Sequence, residues 1–141
     1  MLTDQKILVT GVTGQIAFPL AARLARDNDV WGVARFSEDG SRSRCESAGI
    51  TTRAVDLAVG DFGDLPDDFA YVLHLAAYLG GAPDYDAALR TNAEGTGLLM
   101  QRFRRARAVL VMTTGSVYKP HDDPWHRVRE DDPLGDAALP A

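Results

Sequence analysis

KILVTGVTGQIAFPLAARLARDN, running from Lys6 to Asn28, decides the fold. Its apolar run Ile7-Leu8-Val9 is long enough for one buried strand. The run breaks at Thr10-Gly11-Val12-Thr13-Gly14 and resumes with Ile16, Leu20, Ala21 and Leu24 at helical spacing. Gly11 permits a tight reversal, and Gly14 removes a Cβ where a ligand must approach the backbone. Open N–H groups at the start of the next helix attract an anion, and the helix dipole adds to that attraction. Ala17 is a third small position, which lets helix and strand pack closely. Read this way, Gly11, Thr13, Gly14, Gln15 and Ile16 form a phosphate cradle. An ordinary strand-to-helix turn with two glycines accounts for the same residues without a ligand.

Working outward, Val30 to Ala34 reads as a second strand after the turn Asp27-Asn28-Asp29. It ends at Arg35, 21 residues beyond Gly14 (35 − 14). In a dinucleotide-binding unit this is where an acidic side chain takes ribose hydroxyls or an Arg takes a 2′-phosphate. Arg35 therefore points to NADP(H), with NAD(H) as the alternative, and Arg42, Arg44 and Ser37 could add to its phosphate clamp. A solvated charge after the strand accounts for Arg35 without a phosphate. Ser41–Ala48 reads as a short helix closed by Gly49, and Thr51–Val55 as a third strand ending at Asp56-Leu57. The acidic connection from Gly60 to Asp68 is expected to be exposed. Tyr71–Leu75 is a fourth strand leading into Ala76-Ala77, followed by a loop marked by Gly80, Gly81 and Pro83.

Asp84–Arg105 has the length and pattern of a long helix, with Leu89, Thr96, Leu99, Met100 and Phe103 available for burial. Ala108–Met112 is a fifth strand, ending in Thr113-Thr114-Gly115-Ser116. Residues 118–141 form an irregular tail rich in acids and proline. Strands alternating with helices predict an α/β fold, a Rossmann-type doubly wound parallel sheet spanning 1–141 as one domain.

The chain has 141 residues, 45% hydrophobic and 25% charged, as expected of a globular protein. A net charge of −5 argues against nucleic acid as a partner. Cys45 is the single cysteine, so neither a disulfide framework nor a thiolate metal cluster is expected. No stretch approaches the roughly 20 apolar residues of a membrane span, and MLTDQK lacks the regions of a signal peptide. A cytoplasmic location is the default expectation. His121, Asp122, Asp123 and His126 lack a fixed ligand spacing and read as a solvated loop, so no metal is expected.

With these residues placed, the sequence resembles the extended short-chain dehydrogenase/reductase family, the NAD(P)-dependent epimerases, dehydratases and reductases. Five motifs carry the likeness in order: Thr10-Gly11-x-x-Gly14-x-x-Ala17, Asp56-Leu57, His74-Leu75-Ala76-Ala77, Asn92-x-x-Gly95-Thr96 and Thr113-Thr114-Gly115-Ser116-Val117-Tyr118. The resemblance implies that Asp56 and Leu57 contact the adenine and that Leu75, Ala76 and Ala77 form the floor under the cofactor. His74 is expected as a packed core histidine. Asn92 is implied to shape the active site, although a structural hydrogen bond accounts for it equally well. Thr114, four residues before Tyr118, falls at the family's catalytic Ser/Thr, whose hydroxyl bonds the substrate oxygen.

The family's Tyr-x-x-x-Lys pair is missing, since Lys119 follows Tyr118 directly. In the family the ammonium lowers the phenol pKa for proton transfer near neutral pH. The expectation is therefore the cofactor-binding portion of a longer enzyme, cut before its C-terminal substrate region and inactive alone. The full reaction would move hydride at a carbonyl/alcohol centre of a nucleotide sugar or other small molecule. The alternative is a non-catalytic NADP(H)-binding sensor or interaction protein. Leu99, Met100 and Phe103 could serve a homodimer, though an ordinary core explains them as well. An unfinished sheet predicts an exposed edge strand and self-association.

Overall fold

The computed structural model describes residues 2–80 and 84–135. Five parallel strands lie in the order β3-β2-β1-β4-β5. They are β1 Lys6–Thr10, β2 Asp29–Ala34, β3 Thr51–Ala54, β4 Tyr71–His74 and β5 Ala108–Val111. The helices are α1 Ala17–Leu24, α2 Ser41–Ser47, α3 Tyr85–Ala88 and α4 Gly95–Arg102. β1 is central, with Thr10 in register with Val33 on one side and His74 on the other. The doubly wound sheet read from the sequence is thus present, and boundaries move by one or two residues, as they commonly do at element ends.

Alternation along the strands divides the core between the two faces. Ile7, Val9 and Val30 pack with Ala17, Ala21 and Cys45 on the face covered by α1 and α2. Leu8, Val33 and Val72 pack with Leu99 and Phe103 on the other face. A central parallel strand must be apolar on both sides, which is why Ile7-Leu8-Val9 runs without a polar break.

Several expectations are corrected here. The buried stripe of α1 is Ala17 and Ala21, while Ile16 and Leu20 are exposed. Alanines suffice because the helix lies close to the sheet. The acidic connection is not simply exposed: Phe62 and Leu65 turn inward, and Phe69 follows them into the core. Phe62 and Phe69 meet Phe103 edge-to-face at 5.8 and 5.6 Å between ring centres. Such pairs add to the area that they bury. The acids between them stay in water, so local composition hides an apolar anchor.

The long helix is broken in character rather than in course. Asp84 caps α3 by accepting from the Ala87 N–H at 3.0 Å. A π-helical turn, Leu89–Glu94, then joins α3 to α4. Leu89 and Met100 face solvent, and Leu99 and Phe103 enter the core. Gly95 is buried because a Cβ there would lie 2.7 Å from the Leu57 carbonyl oxygen. α4 ends at Arg102 rather than Arg105. Beyond β5, Gly115–Val117 forms a 3-10 turn. The tail is more ordered than expected: Lys119 N–H donates to the Pro133 carbonyl, and Gly135 N–H to that of Val117. Of the predicted loop, Gly81 and Pro83 lie outside the described residues, as does the tail from 136 to 141.

Candidate functional site

The sheet order reverses between β1 and β4, where successive connections leave to opposite faces. In an open α/β sheet a cleft forms beyond the C-terminal ends of the strands at that point. Here the cleft measures about 500 Å³ and is lined by the ends of β1, β2, β3 and β4. Gly11, Thr13, Gly14, Gln15, Ile16, Arg35, Asp56, Leu57, Leu75, Ala76 and Ala77 all face it. Asn92 and Thr114 do not line it.

Its floor is a close contact between two backbones. Gly11 has φ +66°, and a Cβ on it would lie 2.8 Å from the Ala76 Cα. Gly11 and Val12 N–H both donate to the Val33 carbonyl, and Gly14 N–H donates to that of Gly11. The N–H groups of Thr13, Gln15 and Ile16 donate to no carbonyl among the described residues. α1 has neither a side-chain cap nor an acid in its first turn. A turn kept open by glycine, with spare donors at an uncapped helix start, fits an anionic diphosphate.

Beneath the floor lies a buried relay. Thr96 Oγ1 donates to the Asn92 carbonyl at 2.7 Å, so it accepts from His74 Nε2 at 2.8 Å. His74 Nδ1 is then the acceptor for the Thr10 hydroxyl at 2.7 Å. The Thr10 oxygen in turn takes the N–H groups of Leu75 and Ala76 at 3.2 and 3.1 Å. Every atom is satisfied with a neutral imidazole, and burial holds its pKa below the ordinary histidine value. His74 is accordingly a core residue, as the sequence suggested.

Asn92 joins the same support. Its Oδ1 accepts from Tyr78 N–H at 2.7 Å and its amide donates to the Tyr78 carbonyl at 3.1 Å. Both ends of the side chain thus hold the segment after β4 that continues the floor. One Asp56 oxygen accepts from Ala58 N–H at 3.0 Å, which leaves the other for a ligand. Just beyond β2, Arg35 lines the cleft beside Phe36, Ser37 and Glu38. Phe36, at φ +51°, is a left-handed non-glycine residue, and this places it and Arg35 together. No pattern in the sequence signals that turn, nor the presence of Glu38.

The expected clamp of three arginines does not assemble. Arg42 reaches Thr52 at 3.0 Å and pairs with Glu46 at 3.3 Å. Arg44 donates to the Thr13 carbonyl at 2.8 Å. Thr114 caps the 3-10 turn after β5, its oxygen accepting from Ser116 N–H at 3.2 Å. Its hydroxyl lies 3.1 Å from Ser116 Oγ. In the tail, His121 stacks on His126 at 4.0 Å, and His126 bonds Asp132 at 2.8 Å. No cluster of metal-ligating side chains occurs among the described residues. Nor is any helix there long and apolar enough to cross a membrane.

Residues 7–138 match the NAD dependent epimerase/dehydratase family. The chain belongs to this family. No curated protein matched the sequence in comparison. Among solved structures, UDP-glucuronic acid 4-epimerase from Bacillus cereus in complex with NAD is similar at 25% identity and TM-score 0.74. The alignment covers 92% of this chain and 45% of that one. The Bordetella bronchiseptica enzyme WbmH in complex with NAD+ gives 26% identity and TM-score 0.73, with 96% and 47% covered. The fold is shared as well with UDP-N-acetylglucosamine 4-epimerase from Methanobrevibacter ruminantium, at 20% identity and TM-score 0.76, with 94% and 44% covered. The chain thus spans less than half the length of these enzymes, and a pyridine nucleotide is the cofactor its family implies.

Proposed function

We propose that this chain is the NADP(H)-binding part of an epimerase, dehydratase or reductase acting at a carbonyl/alcohol centre. The observation that carries the reading is the cleft itself. The spare donors of the glycine turn follow β1, Arg35 follows β2, and Asp56 and Leu57 follow β3, side by side in the order of the sheet. A diphosphate, an adenosine ribose with its 2′-phosphate and an adenine match those three regions in the order in which a dinucleotide presents them. Arg35 has no ion pair among the described residues, whereas Arg42 and Arg44 are engaged elsewhere. An Arg fork suits a phosphate dianion better than a ribose diol, which favours NADP(H) over NAD(H).

The bound nicotinamide would exchange hydride with the substrate carbon. Thr114 is proposed to hydrogen-bond the substrate oxygen there, and the acid/base would come from outside the residues present. Small carbonyl compounds and nucleotide sugars both suit this chemistry. Calorimetric titration with NADPH and, separately, NADH tests the cofactor choice. Tighter NADPH binding that Arg35→Ala weakens at least tenfold is the expected result, about 1.4 kcal/mol. A preference for NADH that ignores Arg35 would sink the NADP(H) assignment.

A further inference from the structure

The glycine turn does not hold its shape through its own residues alone. α2 reaches across to it with two neighbouring side chains, and both address carbonyl oxygens of the turn. Arg44 donates to the Thr13 carbonyl at 2.8 Å, and the Cys45 thiol faces the Val12 carbonyl at 3.9 Å. Arg44 is itself fixed, because its guanidinium lies over the Phe18 ring with 4.4 Å between Cζ and the ring centre. Phe18 is part of α1, the helix that follows the turn. One cation therefore ties α2, the turn and α1 together.

Peptide geometry gives this contact a direction. The C=O and N–H of one trans peptide point to opposite sides. Fixing the Thr13 carbonyl toward α2 turns the Gly14 N–H away from it, where it meets the Gly11 carbonyl at 2.9 Å. Fixing the Val12 carbonyl likewise turns the Thr13 N–H away from α2. A Thr13 carbonyl rotated toward the cleft would instead present a negative dipole end to an anion. The guanidinium both prevents that rotation and offsets the carbonyl's partial charge.

We infer that Arg44 is a positioning residue for the cofactor's diphosphate, acting through the Thr13–Gly14 peptide rather than at the 2′-phosphate. The inference rests on the proposed cofactor reading, and it assigns Arg44 a role different from that of Arg35. Every pyridine nucleotide carries the diphosphate, so loss of Arg44 weakens NADH and NADPH by the same factor. Loss of Arg35 is selective for NADPH.

The test measures NADH and NADPH affinity for the wild type, Arg44→Ala, Arg44→Lys and Arg35→Ala, with amide NMR spectra of each chain without nucleotide. The expected result is a loss of about tenfold for both nucleotides in Arg44→Ala, with the Thr13 and Gly14 amide signals displaced. Arg44→Lys keeps the charge but not the planar fork, so its loss is smaller and again equal for the two. It also serves if the alanine variant does not fold. Unchanged affinity for both nucleotides overturns the inference and leaves the cofactor reading standing. A loss confined to NADPH overturns it too, since it would place Arg44 at the 2′-phosphate. A wild-type chain that takes up neither nucleotide overturns the cofactor reading, and this inference with it.

Discussion

Ala76 occupies the space that a side chain on Gly11 would need. A Cβ there would meet the Ala76 backbone nitrogen at 2.9 Å and its Cβ at 3.2 Å, and Gly11 already has φ +66°. Gly11→Ala therefore combines a left-handed alanine, about 1–2 kcal/mol, with overpacking of about 1–3 kcal/mol. Urea unfolding should show a loss of about 3 kcal/mol. A loss under about 1 kcal/mol would mean that the two segments part easily.

Gly95 makes the equivalent contact between α4 and Leu57. An alanine there must push the helix away from a carbonyl 2.7 Å distant. Gly95→Ala should lower stability by about 1–3 kcal/mol, despite alanine's better helix propensity. Calorimetric melting checks the sign. A stabilised variant would show that propensity outweighs the clash.

The relay beneath the floor responds to pH. Burial lowers the His74 pKa, so the unfolded chain takes up its proton near 6.5 and the folded chain at lower pH. The contribution of neutral His74 is complete above 6.5 and declines as pH falls through the folded value. His74→Gln removes this dependence. The difference in unfolding free energy between wild type and variant should shrink from about pH 8 to about pH 5. A difference that is constant across this range rules the relay out as its source.

Thr10 stands at the centre of the same relay, accepting two N–H groups and donating to His74. Thr10→Val keeps the shape and removes the hydroxyl. Stability should fall by about 2 kcal/mol or more, because buried donors lose their acceptor. Hydrogen exchange at the Leu75 and Ala76 amides should quicken. Unaltered exchange at both would show that Thr10 Oγ1 is not their acceptor in solution.

β5 carries the clearest apolar surface. It pairs with β4 on one side only, and Leu110, Val111 and Met112 are exposed, Leu110 by 52%. Exposed apolar residues on an edge strand invite pairing. Sedimentation should therefore show association that rises with concentration and that Leu110→Lys reduces. A monomer at high concentration for both chains would refute this.

How much of this was legible in the sequence follows from the range of each interaction. Val9, Gly11 and Ala17 announce their roles within a dozen residues, because strand period, turn and helix period are local signals. Eleven of the twelve residues assigned to the cofactor do line the cleft, Asn92 being the exception. Arg42 and Arg44 were misplaced because their partners, Thr52, Glu46 and Thr13, are chosen by how α2 packs. The same is true of Phe62 and Leu65, whose acidic neighbours conceal them until Phe103 arrives from a distant helix. The left-handed Phe36 has no local cause that the sequence displays.

The pairing of Thr10 with His74 brings together residues 64 positions apart. Closing so long a loop is slow, since chain entropy is lost before contacts compensate for it. On this ground the floor of the cleft and the middle of the sheet are expected to form together and late in folding. A nucleotide would meet its complete site only after the rate-limiting step has passed. It should prolong the life of the folded chain by slowing unfolding, while the rate of folding stays the same.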